Sequence, residues 1–177
     1  NKHMVYFGGF CNRYAAKIYP SRTITFPREY APGELDFLFF AQVMIFEEIV
    51  DVYDVKMSQD TRLSEIIREI NRYHHRDEAR HLSFGRLLVR NLFQQHAETW
   101  PQEVLFRVRE QWKQYFLKTW REYYNPDVYR DCGFEDPYTV MDDAFESEHS
   151  RQQRRDISAK CVAYLLDTGI LEEDPLL

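Results

Sequence analysis

The chain has 177 residues, 44% apolar and 29% charged, with a formal net charge of −6 at pH 7. That is enough chain for one domain with a real core, and its acidic balance argues against a nucleic-acid binder, which needs a basic face to neutralise phosphates. No apolar run reaches the roughly 18 residues of a membrane span; the most apolar stretch, Phe37 to Val55, is interrupted by Gln42, Glu47, Glu48, Asp51 and Asp54.

Punctuation along the chain is helical, and strand signals are nearly absent. The opening Asn1-Lys2-His3-Met4 has two readings: a cloning remnant before a native Met4, or the interior of a longer protein. A first helix is predicted from about Met4 to Tyr19, stopped by Pro20. Pro27 and Pro32 keep Ser21 to Pro32 irregular. A second helix, from about Gly33 to Met57, is apolar on almost every face and therefore expected at the centre. A third runs from about Thr61 to His96. Thr99 and Gln102 read as a capping box for a fourth helix, which Asn125-Pro126 ends. Asp136-Pro137 opens a fifth by N-cap and N1 rules, and Gly169 closes it.

Long helices with short turns, no internal repeat and no long linker predict an all-α, ferritin-like bundle forming a single domain over residues 1–177. Cys11, Cys132 and Cys161 are far apart and have no CxxC spacing, so they read as buried or free thiols in a cytoplasmic protein. No secretory signal is visible.

The chemistry concentrates in Tyr73-His74-His75-Arg76-Asp77-Glu78-Ala79-Arg80-His81, in the middle of the third helix. At about 100° per residue, His74, Glu78 and His81 fall at roughly 0°, 40° and −20° on the helix wheel and share one narrow stripe. His75 leaves that stripe. Glu78-x-x-His81 is the pair that dinuclear iron and manganese bundles project inward. Iron that changes oxidation state needs hard carboxylate oxygens together with imidazole nitrogens, which predicts iron, with manganese as the other candidate. On the second helix, Glu47 and Glu48 lie inside Met44-Ile45-Phe46-Glu47-Glu48-Ile49-Val50, where carboxylates are costly unless paired or metal-bound. Glu47 precedes Glu78 by 31 residues, which brings the two level in an antiparallel pair; Glu48 is the alternative ligand. A competing reading makes Glu47, Asp51 and Asp54 a solvent stripe. Asp77 reads as a carboxylate that orients a metal-bound histidine, with Arg80 beside it either as a neighbour of the site or as a surface ion-pair partner. A second Glu-x-x-His, Glu146 to His149, is expected to face away from a core lined by Val140, Ala144, Val162 and Leu165. On the fourth helix Val108, Trp112, Tyr115 and Thr119 define the inner stripe, away from Glu103 and Glu110.

The segment from Phe46 to Phe84, with Glu47 on one helix and His74-x-x-x-Glu78-x-x-His81 on the next, resembles the p-aminobenzoate N-oxygenase (AurF-like) di-iron family. The extra His74 is the distinguishing mark, since ordinary ferritin-like sites carry only Glu-x-x-His there. Asn125 to Asp131 and Leu165 to Leu171 are similar to that family too. The resemblance implies oxygenation of an amine nitrogen, typically an arylamine, at a non-haem di-iron centre in a helical homodimer, with dioxygen, a small organic substrate and an external electron donor as partners. It implies Glu47, His74, Glu78 and His81 as iron ligands. It also implies an earlier Glu and an earlier Glu-x-x-His. Only Glu29 and Glu34 precede Glu47, both beside loop prolines, but Asn1-Lys2-His3 reads as the tail of a Glu-x-x-His whose Glu lies before residue 1. On that reading the chain is the C-terminal part of a longer domain and the bundle is incomplete at its N-terminus. The alternative function is a ferritin-like iron-binding oxidase that consumes dioxygen without an organic substrate.

Overall fold

The structure is a computed structural model, and it describes residues 2–19 and 29–175. The predicted stop at Pro20 and the loop residues 20–28 lie outside the described residues. Among the described residues there are seven helices and no strand: α1 Lys2–Tyr14, α2 Glu34–Gln59, α3 Glu65–His96, α4 Gln102–Arg121, α5 Pro126–Asp131, α6 Pro137–Glu146 and α7 Glu148–Asp167. The chain is an all-α bundle. No helix among the described residues is long and apolar enough to cross a membrane.

α2 is the central element, packed against α3, α4 and α7. Phe37, Ala41, Met44, Ile45 and Ile49 are buried along it. The Phe37 ring lies 5.6 Å from Phe93 of α3 and 5.6 Å from Trp112 of α4, with Trp100 at 5.7 Å. Rings at such separations add to area burial worth roughly 1.5–3 kcal/mol per fully buried Phe. The Trp100 indole N–H donates to the Pro32 carbonyl at 2.9 Å. Glu34, fully buried at the start of α2, is held by Arg107 at 2.9 Å and by the Ala31 amide at 2.8 Å. α2 and α3 run antiparallel, with Phe37 beside Phe93 and Glu48 beside Arg86. Not every face of α2 is covered: Leu35, Phe39, Val43 and Phe46 are exposed.

Several helix ends depart from the sequence expectations. α1 ends at Tyr14, five residues before the predicted stop at Tyr19; it has no buried residue, so nothing pins its last turn. α3 begins at Glu65, with Ser64 as N-cap, rather than at Thr61. The Thr99–Gln102 capping box does not form: the Thr99 hydroxyl donates back to the His96 carbonyl at 2.7 Å, and Pro101 occupies the N-cap position of α4. Residues 126–131 form the short helix α5, whose Asn125 side chain accepts from the Asp127 amide at 2.9 Å. The fifth predicted helix is two helices. Ser147 leaves helical geometry at ψ 144° and caps α7 by accepting from the Ser150 amide at 3.3 Å. Ser competes locally for backbone groups, which ends one helix as readily as it starts another. The Asp136 cap on α6 and the positive φ of Gly169 (70°) after α7 match the reading.

Candidate metal centre

The site is built around one buried carboxylate. Glu78 lies mid-way along α3 with its side chain only 2% exposed. A carboxylate at that depth is stable only with partners, and three imidazoles supply them. His74, one turn before it, places Nε2 3.4 Å from Oε1; His81, one turn after, places Nδ1 2.9 Å from Oε2. The helical stripe supplies both. The third imidazole comes from another helix: Nδ1 of His3, on α1, lies 3.1 Å from Oε1 of Glu78.

α1 meets the bundle at α3, and this contact lies at the start of that meeting. The His3 and Phe7 rings meet the His74 ring edge-on, with centroids 4.4 and 5.1 Å away. His74 is thus flanked by α1 on one side and by α2 on the other, where its Nδ1 bonds the carboxylate of buried Asp54. With Nδ1 engaged by Asp54, the other ring nitrogen, Nε2, is the one that faces Glu78. Burial raises the Asp54 carboxyl above its usual range, against the pull of His74. On the far side of His3, Nε2 lies 3.3 Å from Asp77; His3 and then Arg80, at 3.2 Å, hold Asp77 below the usual carboxylate range.

Glu47 reaches the same place from α2. Burial, then the neighbouring Glu78 charge, push its carboxyl up to about 7, while His74 and His81 draw it back down.

The donor set suits a transition metal. One donor atom each from His3, His74 and Glu78 lie within 4.8 Å of one another. Donors about 2.1 Å from a common ion stand roughly 3 Å apart at right angles, close to the 3.1 and 3.4 Å found here. Mixed imidazole and carboxylate ligation is the pattern used by non-haem iron.

Of the residues singled out in the sequence, Glu47, His74, Glu78 and His81 come together, with Asp77 at their edge on His3. Glu48 does not join them; it is buried against Arg86, whose backbone carbonyl accepts from the Tyr164 hydroxyl. His75 pairs instead with Asp51 at 2.6 Å. Glu146, exposed at the α6–α7 break, pairs with Arg151 at 2.7 Å, and His149 is exposed. The residue the sequence reading missed is Asp54. It shares a helix face with Glu47, but that face meets the histidine stripe rather than solvent.

A family model described as P-aminobenzoate N-oxygenase AurF matches residues 1–169 of the chain. No curated protein and no solved structure matches it.

Proposed function

Because the chain belongs to the p-aminobenzoate N-oxygenase AurF family, we propose that it carries a non-haem di-iron centre that activates dioxygen to oxidise a small organic substrate, with an arylamine nitrogen as the group oxidised. The observation that carries this reading is the convergence of His3, His74, His81 and Glu47 on the single buried carboxylate of Glu78. Iron, when bound, supplies the electron transfer to dioxygen that no side chain here can perform.

In this reading His3, His74, His81, Glu47 and Glu78 would hold the iron. Oε1 of Glu78 faces His3 and His74; Oε2 faces His81. Glu47 would add a carboxylate from α2. Asp54 and Asp77, bonded to His74 and His3, would keep those imidazoles oriented for iron. Placing one atom of dioxygen on an amine nitrogen, with the other leaving as water, takes two electrons and two protons. An external donor therefore completes the reaction. The exposed α2 stripe of Leu35, Phe39, Val43 and Phe46 is the face we assign to a homodimer contact, since apolar patches of this kind mark interfaces.

The test is anaerobic loading of the chain with ferrous iron, then dioxygen, a chemical reductant and a series of arylamines. N-oxygenated product with stoichiometric oxygen uptake supports the proposal; absence of iron uptake overturns it. One observation favours the oxidase alternative: His81 is 63% exposed, so the cluster meets solvent at that imidazole. Oxygen uptake that is indifferent to every amine, with no oxidised amine formed, would favour that reading.

A further inference from the structure

Between Glu78 and Glu98 the sequence holds no Asp or Glu, although the whole chain has 29 acidic residues against 23 basic ones. Arg80, Arg86 and Arg90 fall in that stretch of α3. Arg76, Arg80, Phe84, Leu87 and Arg90 recur at spacings of four, four, three and three, so they share one helical face. All five are exposed, Phe84 at 63% and Leu87 at 48%. Arg80 pairs loosely with Asp77 at 3.2 Å. Arg76 and Arg90 have no carboxylate partner among the described residues, and the Arg76 guanidinium lies over the Tyr73 ring, 5.2 Å from its centroid. Beside this face Ser83, Arg86, Leu87 and Arg90, with Tyr164 of α7, line a hollow of about 220 Å³. Arg86 is held by buried Glu48, which leaves Arg90 to meet an incoming charge. Burial raises the Tyr164 hydroxyl, while Arg90 and then Arg86 draw it down, so both guanidiniums act on the wall of the hollow.

We propose that this outward face of α3 is where the external electron donor docks, and that the donor is a small electron-transfer protein with an acidic surface. This rests on the oxygenase reading and goes beyond it by assigning the class of the donor and its landing site.

The face has the anatomy of a protein contact: an apolar centre, Phe84 and Leu87, with a polar rim of arginines. Arginine grips a carboxylate through two parallel N–H bonds, and the hollow beside Arg90 has room for an acidic side chain. Complementary charge steers such a partner to this face. A net charge of −6 works against extended polyanions and anionic membranes, which meet the rest of the surface as well. Position completes the case. Phe84 lies three residues beyond His81, about 4.5 Å along the helix axis, and His81 is the imidazole through which the cluster meets solvent. The reduced carrier is oxidised as it hands over its charge. Two electrons in all, with two protons from solvent, send the second oxygen atom of dioxygen to water.

The experiment is a calorimetric titration of the metal-free full chain with a plant-type [2Fe–2S] ferredoxin, with a flavodoxin and with phosphatidylglycerol vesicles, each at low and at high salt. A complex with one of the two carriers is expected, weakened steeply by salt. Arg76→Glu, Arg90→Glu and Phe84→Ser should each weaken it by about tenfold or more, with helical circular dichroism and ferrous iron uptake unchanged. Arg62→Glu, on the exposed turn before α3, should leave it unaltered. The proposal is overturned if neither carrier binds, if the vesicles alone bind, or if the complex is indifferent to salt and to the three variants. Because the titration uses no iron, its outcome is separate from the oxygenase reading, which fails instead if the chain takes up no iron while the carrier still docks.

Discussion

His3 of α1 and Glu78, mid-way along α3, stand 3.1 Å apart, imidazole nitrogen to carboxylate oxygen, on the face of α3 where His74 also points. That contact turns a stripe on one helix into a cluster drawn from three, since Glu47 reaches Glu78 from α2. It also sets which substitutions should matter.

Glu78 has both oxygens engaged, so no other single change should cost the site more. Glu78→Ala is expected to lower iron affinity by more than about a hundredfold, beyond the range for residues behind the ligands, and His81→Ala to lower total iron content. His149→Ala, on an exposed residue, should leave iron content unchanged. Metal analysis of purified variants checks all three. Iron lost in the His149 variant would move the site to α7.

The choice between Glu47 and Glu48 makes a paired prediction. Glu47→Gln should impair iron binding. Glu48→Gln should leave it intact while lowering the melting temperature, because Glu48 is spent on Arg86 and removing its charge disturbs a buried pair. The reverse pattern in iron content would reassign the α2 ligand.

How far the site could be read in advance follows from which contacts are local. His74, Glu78 and His81 lie on one helix, and three residues at fixed spacing are visible without any tertiary information. Glu47 was accessible because antiparallel helices with a short turn bring positions 31 apart level. Asp54 was not, because the same face of α2 that carries Glu47 fits a solvent stripe or a buried seam equally well; only the packing of α3 decides. The role of His3 rested on the family resemblance. The break at Ser147 and the failed Thr99 cap were missed for a common reason: a hydroxyl can bond the preceding turn instead of the helix that follows.

The Glu47–Glu78 pair should impose a pH dependence on the metal-free chain. The folded-state pKa of Glu47 is raised from 4.5 to about 7, so the fold prefers its protonated form. Stability from this group is full below about pH 4.5 and is lost as pH rises through 7. Asp54, also raised by burial, acts in the same sense. Asp77 is lowered and acts in the opposite sense, its contribution disappearing only as pH falls through the carboxylate range. Thermal melts of metal-free protein across this range should show the decline toward pH 7, and Glu47→Gln should flatten it. A decline of equal size in the variant would show that Glu47 is not its source.

The hydrophobic core should be separable from the site. Phe37 is fully buried among Phe93, Trp100 and Trp112. Phe37→Ala is expected to cost about 3–5 kcal/mol in unfolding free energy, read by denaturant melts, while the iron bound per folded molecule stays unchanged.

The most direct measurement is anomalous scattering at the iron edge from crystals of the chain grown anaerobically with ferrous iron. The account predicts density among His3, His74, His81, Glu47 and Glu78, at the buried carboxylate where they converge. Iron located elsewhere in the bundle, or His3, His74 and Glu78 turned away from it, would contradict the account.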